Sequence, residues 1–363
     1  MMKLNALRGP VPSAASGLKV ATVGVGKTPG QIAFNPVTKS AFVVDTNGNS
    51  VTVIGAGNST STIAVQDAPT DIVANPVTGN VYVMNSGSNS ITAIYKNGYT
   101  INIPTWTSEY DAMALNPATN TLYVGHMNQA CVTAIDLDTL YISTIPASYP
   151  GFIAIAVNAE TNRIYAANMN SDANYVLAID GTDNSASVIG VGDYPASVVV
   201  NPAANTVYVG NLQSRSTSVI DGTDNTVIAT ISGAGSGAGP GIVSVLDSAT
   251  GTIYGYTQFK TPPVYTKNVL TAIDCATNQA TEVFEPASVP SGGALAVNAV
   301  TGKIYMAPGS GNQIYVFDGK NINAAPTPIT VGNSPTYLAI DEATNTVYVS
   351  NWFDNTVSVI TGS

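Results

Sequence analysis

A short aromatic phrase recurs eight times along this chain of 363 residues. It reads VYVMN where it ends at Asn85, LYVGH at His126 and VYVSN at Asn351. The spacing between its aromatic residues ranges from 40 to 51 residues, and these are Phe42, Tyr82, Tyr123, Tyr165, Tyr208, Tyr254, Tyr305 and Tyr348. Such a period is typical of propeller blades, each of which has four strands. The sequence therefore predicts an all-β fold, a single closed propeller of eight four-stranded blades.

Each repeat can be divided into four strands, here lettered A to D. Strand A is a short apolar run that ends in a turn of the type N-P-x-T-G, as at Asn35 and Asn75. Strand B is the aromatic phrase, strand C alternates as in SVTVI, and D-G-T-D-N predicts a hairpin before strand D. Side chains alternate between the two faces of a strand, so both faces of a blade can pack against neighbouring blades. The aromatic residues should thus be buried between blades, and the asparagine that ends strand B should cap the B–C turn.

The two ends of the chain predict how the ring closes. The last repeat has a strand C at residues 356–360 and then stops without a strand D. Residues 18–26, LKVATVGVG, precede the first strand A and resemble a strand D. We therefore expect this N-terminal strand to complete the last blade, which removes an open sheet edge. Residues 1–17 are predicted to be a flexible extension, and residues 18–363 the propeller.

Composition excludes several partners. The chain has 12 basic and 22 acidic residues and a net charge of −10, which disfavours binding to nucleic acid. Its apolar runs, such as residues 152–157, are far shorter than the roughly 20 residues of a membrane span. Only 9% of the residues are charged, and Asn, Thr and Gly are abundant, which is typical of an exported protein. We expect an extracellular, periplasmic or cell-surface location, although the first 17 residues lack the apolar core of a leader.

One repeat carries a family resemblance. Residues 331–360, VGNSPTYLAIDEATNTVYVSNWFDNTVSVI, resemble the YVTN-type β-propeller repeat family, and the resemblance extends over about residues 18–360. It implies a propeller fold. Such repeats are similar to those of surface-layer proteins, lactonase-like enzymes and antibiotic-inactivating lyases. The resemblance therefore implies extracytoplasmic binding more often than any single chemistry.

The third blade departs most from the consensus of the chain. Its D–A loop carries Trp106, Glu109, Tyr110 and Asp111 where other blades have Gly and Pro, and its strand B ends in His126, the only histidine. In one interpretation His126 is a general acid or base tuned by Glu109 or Asp111, while the two aromatic residues hold a ring. In the other, His126 caps the turn as Asn does elsewhere, and the carboxylates keep the loop solvated.

Two further positions are candidates for ligand binding at the mouth of the central channel. Asp71, at the start of the neighbouring strand A, is expected to lie towards that mouth. In the sixth blade the B–C connection, residues 257–268, is several residues longer than its equivalents and contains Phe259 and Tyr265. It is either a lid or partner-contact loop over the mouth, or a tolerated surface insertion.

Cofactor sites have little support in the sequence. One histidine and two separated cysteines, Cys131 and Cys275, cannot form a His-rich metal or haem site or a disulfide. No cofactor is predicted, although Ca2+ held by Asp, Asn and backbone oxygens remains open. The leading hypothesis is an exported binding propeller that holds a small molecule, glycan or protein partner at the channel mouth. The alternatives are a lactonase-like hydrolase or lyase with a site near His126, and a structural surface-layer or scaffold module.

Overall fold

The computed structural model describes residues 17–106, 111–170, 172–232, 243–261, 265–284 and 293–362. These residues form 32 strands in eight four-stranded antiparallel sheets, together with three short 3-10 helices, Thr46–Gly48, Ala56–Asn58 and Gly319–Asn321. Of the predicted N-terminal extension, residues 1–16 lie outside the described part of the chain. The fold is the predicted all-β propeller of eight blades.

The strands follow one another in chain order within each blade. The first four blades contain β2 (Pro29–Asn35), β3 (Ser40–Asp45), β4 (Ser50–Ile54) and β5 (Thr60–Ala64); β6 (Pro69–Ala74), β7 (Val81–Asn85), β8 (Ser90–Ile94) and β9 (Thr100–Pro104); β10 (Ala112–Asn116), β11 (Thr121–Gly125), β12 (Cys131–Asp136) and β13 (Ile142–Pro146); and β14 (Phe152–Asn158), β15 (Arg163–Asn168), β16 (Tyr175–Asp180) and β17 (Ala186–Gly190). The last four contain β18 (Pro195–Asn201), β19 (Thr206–Asn211), β20 (Ser216–Asp221) and β21 (Thr226–Ser232); β22 (Val243–Asp247), β23 (Thr252–Thr261), β24 (Tyr265–Asp274) and β25 (Gln279–Phe284); β26 (Ala294–Asn298), β27 (Lys303–Ala307), β28 (Gln313–Asp318) and β29 (Thr327–Thr330); and β30 (Pro335–Asp341), β31 (Thr346–Asn351), β32 (Thr356–Thr361) and β1 (Lys19–Gly24).

The ring closes at the eighth blade through the N-terminal strand. There β1 pairs antiparallel with β32, from Lys19 opposite Thr361 to Gly24 opposite Thr356. The A strands of adjacent blades contact one another all the way round, including β30 with β2. The A strands therefore surround a central channel, the D strands form the outer rim, and the predicted closure is confirmed.

The core lies between blades and not within them. The eight recurring aromatic side chains are at most 8% exposed. Tyr123 of the third blade packs in one apolar cluster with Phe152 and Tyr175 of the fourth. Tyr208 of the fifth blade packs with Ile253 and Ile273 of the sixth. Because a blade buries both faces, each strand B needs large apolar residues on both sides, as the aromatic phrase provides.

In five of the blades an asparagine at the end of strand A joins the blade to the next one. Asn35 accepts the backbone N–H of Val37 on Oδ1 and donates from Nδ2 to the carbonyl oxygen of Gly79 in the second blade, at 2.8 Å. A donation from Nδ2 to the following blade, there to the side-chain Oδ1 of an asparagine, recurs as Asn75 to Asn120, Asn116 to Asn162, Asn158 to Asn205 and Asn298 to Asn345. The repeated turn is therefore also an inter-blade clamp, because one amide serves the turn and the neighbour at once.

The D–A and B–C loops lie together on one face, which we call the loop-rich face. The backbone N–H of Thr46 donates to the carbonyl oxygen of Thr28 at 3.2 Å, and Ser86 donates to Ala68 in the same way. Such bonds satisfy the backbone groups of both loops. Functional side chains contributed by either loop type are consequently brought to the same side of the ring.

The sixth blade extends beyond its neighbours as a β-hairpin. Its strands β23 and β24 have ten residues each and continue pairing from Thr257 opposite Val269 to Thr261 opposite Tyr265. These five additional pairs lengthen the hairpin by about 15 Å. The segment interpreted from the sequence as a long loop is thus largely regular strand. The side chains of Phe259 and Tyr265 lie outside the described part of the structure.

Two other predictions concern the thiols and membrane spans. Cys131 and Cys275 are both free, and burial raises the pKa of each thiol above its usual range. Neither is therefore activated as a thiolate. Among the described residues, no helix has the length and apolar character needed to cross a membrane.

Candidate functional site

The third blade holds a chain of three polar side chains at the loop-rich end of its sheet. His126 follows β11, and Asp111 directly precedes β10. The Nδ1 atom of His126 lies 2.8 Å from Oδ2 of Asp111, and Nε2 lies 2.8 Å from Oγ1 of Thr133. The other carboxylate oxygen of Asp111 accepts the backbone N–H of Met127 at 2.8 Å. The structure thus brings His126 and Asp111 together and adds Thr133, a residue that the sequence analysis did not select.

The same geometry has a simpler form in other blades. Asn85 donates from Nδ2 to the hydroxyl of Thr92 at 2.9 Å, and Asn211 donates to Ser218 at 2.9 Å. Asn351 donates likewise to Ser358. In each case the hydroxyl lies seven residues after the residue that ends strand B, the position that Thr133 has relative to His126. The third blade therefore replaces an amide–hydroxyl pair with a carboxylate–imidazole–hydroxyl chain.

The environment of the imidazole limits what it can contact directly. The side chains of His126 and Asp111 are each 1% exposed, and both ring nitrogens have partners. A carboxylate only accepts hydrogen bonds, so Nδ1 carries a proton and donates it to Asp111. In the neutral ring, Nε2 then accepts a hydrogen bond from the hydroxyl of Thr133. A ligand could therefore affect this ring through the hydroxyl of Thr133, but it could not contact the ring directly.

A pocket of about 510 Å³ lies between the second and third blades, towards their outer rim, and we call it the Trp106 groove. Its described lining consists of Asn89, Pro104, Thr105 and Trp106 from the second blade, and Thr133, Ile142 and Thr144 from the third. Trp106 is 64% exposed. Thr133, the last residue of the polar chain of Asp111, His126 and Thr133, borders this groove. The predicted site residues Glu109 and Tyr110 lie outside the described part of the chain.

Asp71 lies in the wall of the central channel, on β6. Its Oδ1 accepts the backbone N–H of Ile72 at 2.7 Å, and Oδ2 accepts that of Met113 on β10 at 3.3 Å. Burial raises the pKa of this carboxyl to about 6, against the opposing effect of the two amide hydrogen bonds. Asp71 is on an innermost strand, whereas the Trp106 groove is bordered by outermost strands. The structure therefore separates two candidate regions that the sequence analysis had combined at one mouth.

The charge on Asp71 also acts on a residue that the sequence analysis missed. Burial is the main cause that raises the pKa of Tyr337, on β30, and the nearby charge of Asp71 raises it further. The backbone N–H of Tyr337 donates to Oγ of Ser350 at 3.1 Å. Asp71 and Tyr337 thus belong to the same region of the channel, although one blade lies between them in one direction and five in the other.

Metal ligands do not gather in the described part of the chain. No three residues among its His, Cys, Asp and Glu lie in an arrangement that could hold a metal ion. The D-G-T-D-N segments act as turns instead. Asp180, for example, accepts the backbone N–H of Thr182 at 2.9 Å, and this bond lowers its pKa. Ca2+ binding stays a prediction.

Solved structures of other proteins share the fold of this chain. No model of a protein family and no curated protein matches the chain. A chain of Kuenenia stuttgartiensis hydrazine synthase matches with a TM-score of 0.62 and 15% identity, over 98% of this chain and 99% of that one. A streptogramin B lyase matches with a TM-score of 0.59 and 10% identity, over 96% of this chain and 98% of that one. Virginiamycin B lyase from Staphylococcus aureus matches with a TM-score of 0.59 and 10% identity, over 95% and 99%. The chain is a β-propeller. At these identities the likeness shows the fold alone.

Proposed function

We propose that the chain is a binding propeller that holds a neutral, ring-containing polar ligand, such as a sugar unit of a glycan, in the Trp106 groove. The observation that carries the proposal is the 64% exposure of Trp106 beside a pocket of about 510 Å³. Tryptophan is usually largely buried, since its ring removes a large apolar area from water. An exposed indole at a pocket offers that area to a ligand instead.

The rest of the described lining fits the same ligand class. Asn89, Thr105 and Thr144 offer amide and hydroxyl groups that both donate and accept, while Pro104 and Ile142 are apolar. Charged side chains are absent from the described lining of this groove. A sugar ring presents an apolar face for the indole and hydroxyl groups for neutral hydrogen-bonding partners. An ionic ligand would find no counter-ion among these residues, which favours a neutral one.

The setting that we propose for this binding is extracytoplasmic. Only 9% of the residues are charged, and the YVTN-type repeat resemblance implies exported or surface proteins. Surface loops on a rigid ring are a common arrangement for recognition. These features support a binding module outside the cytoplasm, in which the propeller acts as the scaffold and the loop-rich face as the recognition surface.

Replacing Trp106 with alanine is expected to weaken ligand binding at least tenfold, a loss of about 1.4 kcal/mol. The full-length chain would first be screened against a printed array of neutral oligosaccharides, and the best binder measured by titration calorimetry. Phe353→Ala is the matched control, because Phe353 is 74% exposed in a B–C loop of the same face but does not border the groove. Absence of binding to any neutral saccharide, or equal affinity of the Trp106→Ala variant and the unaltered chain, would contradict the proposal.

A second candidate function, hydrolysis or elimination by an enzyme, is favoured by one specific observation. Asp111, His126 and Thr133 form a continuous hydrogen-bonded chain, with 2.8 Å at each link to the imidazole, and Thr133 borders the Trp106 groove. A hydroxyl oriented by an imidazole, which is itself oriented by a carboxylate, is the arrangement that activates nucleophiles or relays protons. In this candidate function the groove would be the substrate pocket, and His126 would act through Thr133.

The substitution His126→Asn separates the two functions. For a binding propeller we expect unchanged ligand affinity, since His126 does not line the groove, and a loss of roughly 1–3 kcal/mol in unfolding free energy because buried Asp111 loses a donor. Calorimetry and urea unfolding measure these two quantities. The control Asn211→His places an imidazole near Ser218 in the fifth blade and should confer no turnover. A lactone- or ester-cleaving activity that falls roughly 10²–10⁴-fold in His126→Asn would instead establish the enzyme.

A further inference from the structure

The carboxylate of Asp71 lacks a cationic partner within the described residues. It accepts two backbone N–H groups, from Ile72 and Met113, and no described lysine or arginine pairs with it. Asp71 is partly buried, and a carboxylate that is partly removed from water is destabilised when it is ionised and is stabilised by a cation brought beside it. The channel thus contains a negative charge that no described residue neutralises.

Tyr337 is the second polar residue in this part of the channel wall. It lies on β30, and β2 is the only A strand between it and β6 in one direction round the ring. Tyr337 is the second residue after Pro335 on β30, as Asp71 is after Pro69 on β6, and both follow the same shift in register, so the two residues stand at the same height in the channel wall. The charge of Asp71 accordingly contributes to the raised pKa of the Tyr337 hydroxyl. A phenol ring beside a carboxylate can accept a cation on its face or a hydrogen bond on its oxygen.

Apolar residues continue along the same strands. A pocket of about 340 Å³ between the A strands is lined by Ile32 and Phe34 of β2, Leu295 of β26, and Leu338 and Ile340 of β30, and one carboxylate, Glu342, lies at its far end. Asp71 and Tyr337 do not line this pocket, and Tyr337 precedes it by one position along β30. Leu338 directly follows Tyr337 in sequence, and Ile32 directly follows Gln31. The wall therefore changes from a polar region at Asp71 and Tyr337 to an apolar stretch along the A strands.

We propose that the central channel is a second binding site, separate from the Trp106 groove, for a ligand that carries a protonated amine on an apolar body. The ammonium group would lie against Asp71 and Tyr337, and the aliphatic or aromatic body along the apolar stretch defined by Phe34, Leu295 and Leu338. An inorganic divalent cation fits less well, because Asp71 belongs to no group of three metal-ligating residues in the described part of the chain. This proposal does not depend on the function proposed for the Trp106 groove.

Titration calorimetry with hexylammonium and with 1-hexanol, on the full-length chain at pH 7.5, tests the proposal directly. The two probes have the same apolar body, and only the first carries a charge. We expect hexylammonium to bind at least tenfold more tightly than hexanol, because only the ammonium pairs with Asp71. Equal affinity of the two probes, or no heat from hexylammonium, would overturn the proposal without any altered protein.

Substitutions at Asp71 and Tyr337 then test whether these residues bind the ammonium group. Asp71→Asn should reduce hexylammonium affinity at least tenfold, and Tyr337→Phe should reduce it less. Asp172→Asn is the charge-matched control, because Asp172 is an exposed carboxylate in a B–C loop of the same face and should leave the affinity unchanged. Equal losses in Asp71→Asn and Asp172→Asn would show a general charge effect and overturn the assignment. Competition by calcium chloride at the same ionic strength as a sodium chloride control would overturn it in favour of a metal site.

The pH dependence supplies an independent check. The carboxyl pKa of about 6 means that Asp71 becomes protonated as the pH falls through this value, so hexylammonium affinity should fall between pH 7 and pH 5. Tyr337 is the group of β30 nearest to Asp71, and the strands β2 and β7 carry no charged residue. Of the other elements packed against β6, β3 ends in Asp45, whose pKa burial also raises, and Asp111, which precedes β10, is paired with His126. An affinity that stays constant over this interval would contradict a role for Asp71.

Discussion

Removing residues 1–26 is expected to lower the unfolding free energy by roughly 3–6 kcal/mol and to promote association. The deletion removes β1, whose Val23 is buried with Ile32 and Val357 in the last blade interface. Loss of that packing and of the neighbouring partly buried side chains costs about 1.5–3 kcal/mol for each fully buried residue. It also removes the bond from the backbone N–H of Gly26 to Asp45. The exposed edge of β32 would then be free to pair with another chain.

The control deletion removes only residues 1–16 and leaves β1 in place. Urea unfolding measures the stability of both truncated chains, and light scattering measures their association. We expect the shorter deletion to unfold like the full-length chain and to remain unassociated. Two deletions with the same small effect would show that β1 does not close the ring.

The fold was predictable because the same physical requirement is repeated eight times. Each blade needs a large buried residue in strand B, so Phe42 and its seven tyrosine equivalents recur in register with the sheets. The absence of a fourth strand after β32 left one place for β1. A single repeat leaves the fold ambiguous, whereas eight repeats determine it. The clamp made by Asn35 was not predictable, because its partner Gly79 lies in the next repeat and only the packing angle of the blades brings them together.

The candidate site was predictable only in part. Asp111 and His126 could be expected to meet, since the D–A loop and the end of strand B share one face of the ring. Their burial could not be predicted, because it depends on how closely the second blade packs against the third. Thr133 had a recognisable signal, namely its place seven residues after His126, where Ser218 follows Asn211.

Tyr337 had a weaker signal, which lies in its position within strand A. It is the second residue after Pro335, as Asp71 is after Pro69 and Ser197 after Pro195. In each case this residue follows a shift in the register of the A–B pairing. A tyrosine at this position is therefore placed like Asp71 in its own blade. Its electrostatic contact with Asp71 depends on the diameter of the ring, which no single repeat encodes.

Replacing Tyr208 with alanine is expected to lower the unfolding free energy by roughly 3–5 kcal/mol. Its side chain is fully buried between the fifth and sixth blades, where it packs with Val219, Ile253 and Ile273. The loss of the ring leaves a cavity that the rigid sheets on both sides cannot fill by moving together. Urea unfolding monitored by circular dichroism measures the change.

Two further variants divide this effect into its parts. The hydroxyl of Tyr208 lies 3.2 Å from the carbonyl oxygen of Cys275 and 3.2 Å from Oδ1 of Asn278, so it bonds the fifth blade to the sixth. Tyr208→Phe removes only that bond and should cost about 1 kcal/mol. Tyr141→Ala is the exposed control, because Tyr141 is 70% exposed, and its loss should change stability by less than about 0.5 kcal/mol. If Tyr208→Ala were no more destabilising than Tyr141→Ala, the apolar interface between blades would not be the source of stability. If Tyr208→Phe were as destabilising as Tyr208→Ala, the hydroxyl and not the ring would hold these two blades together.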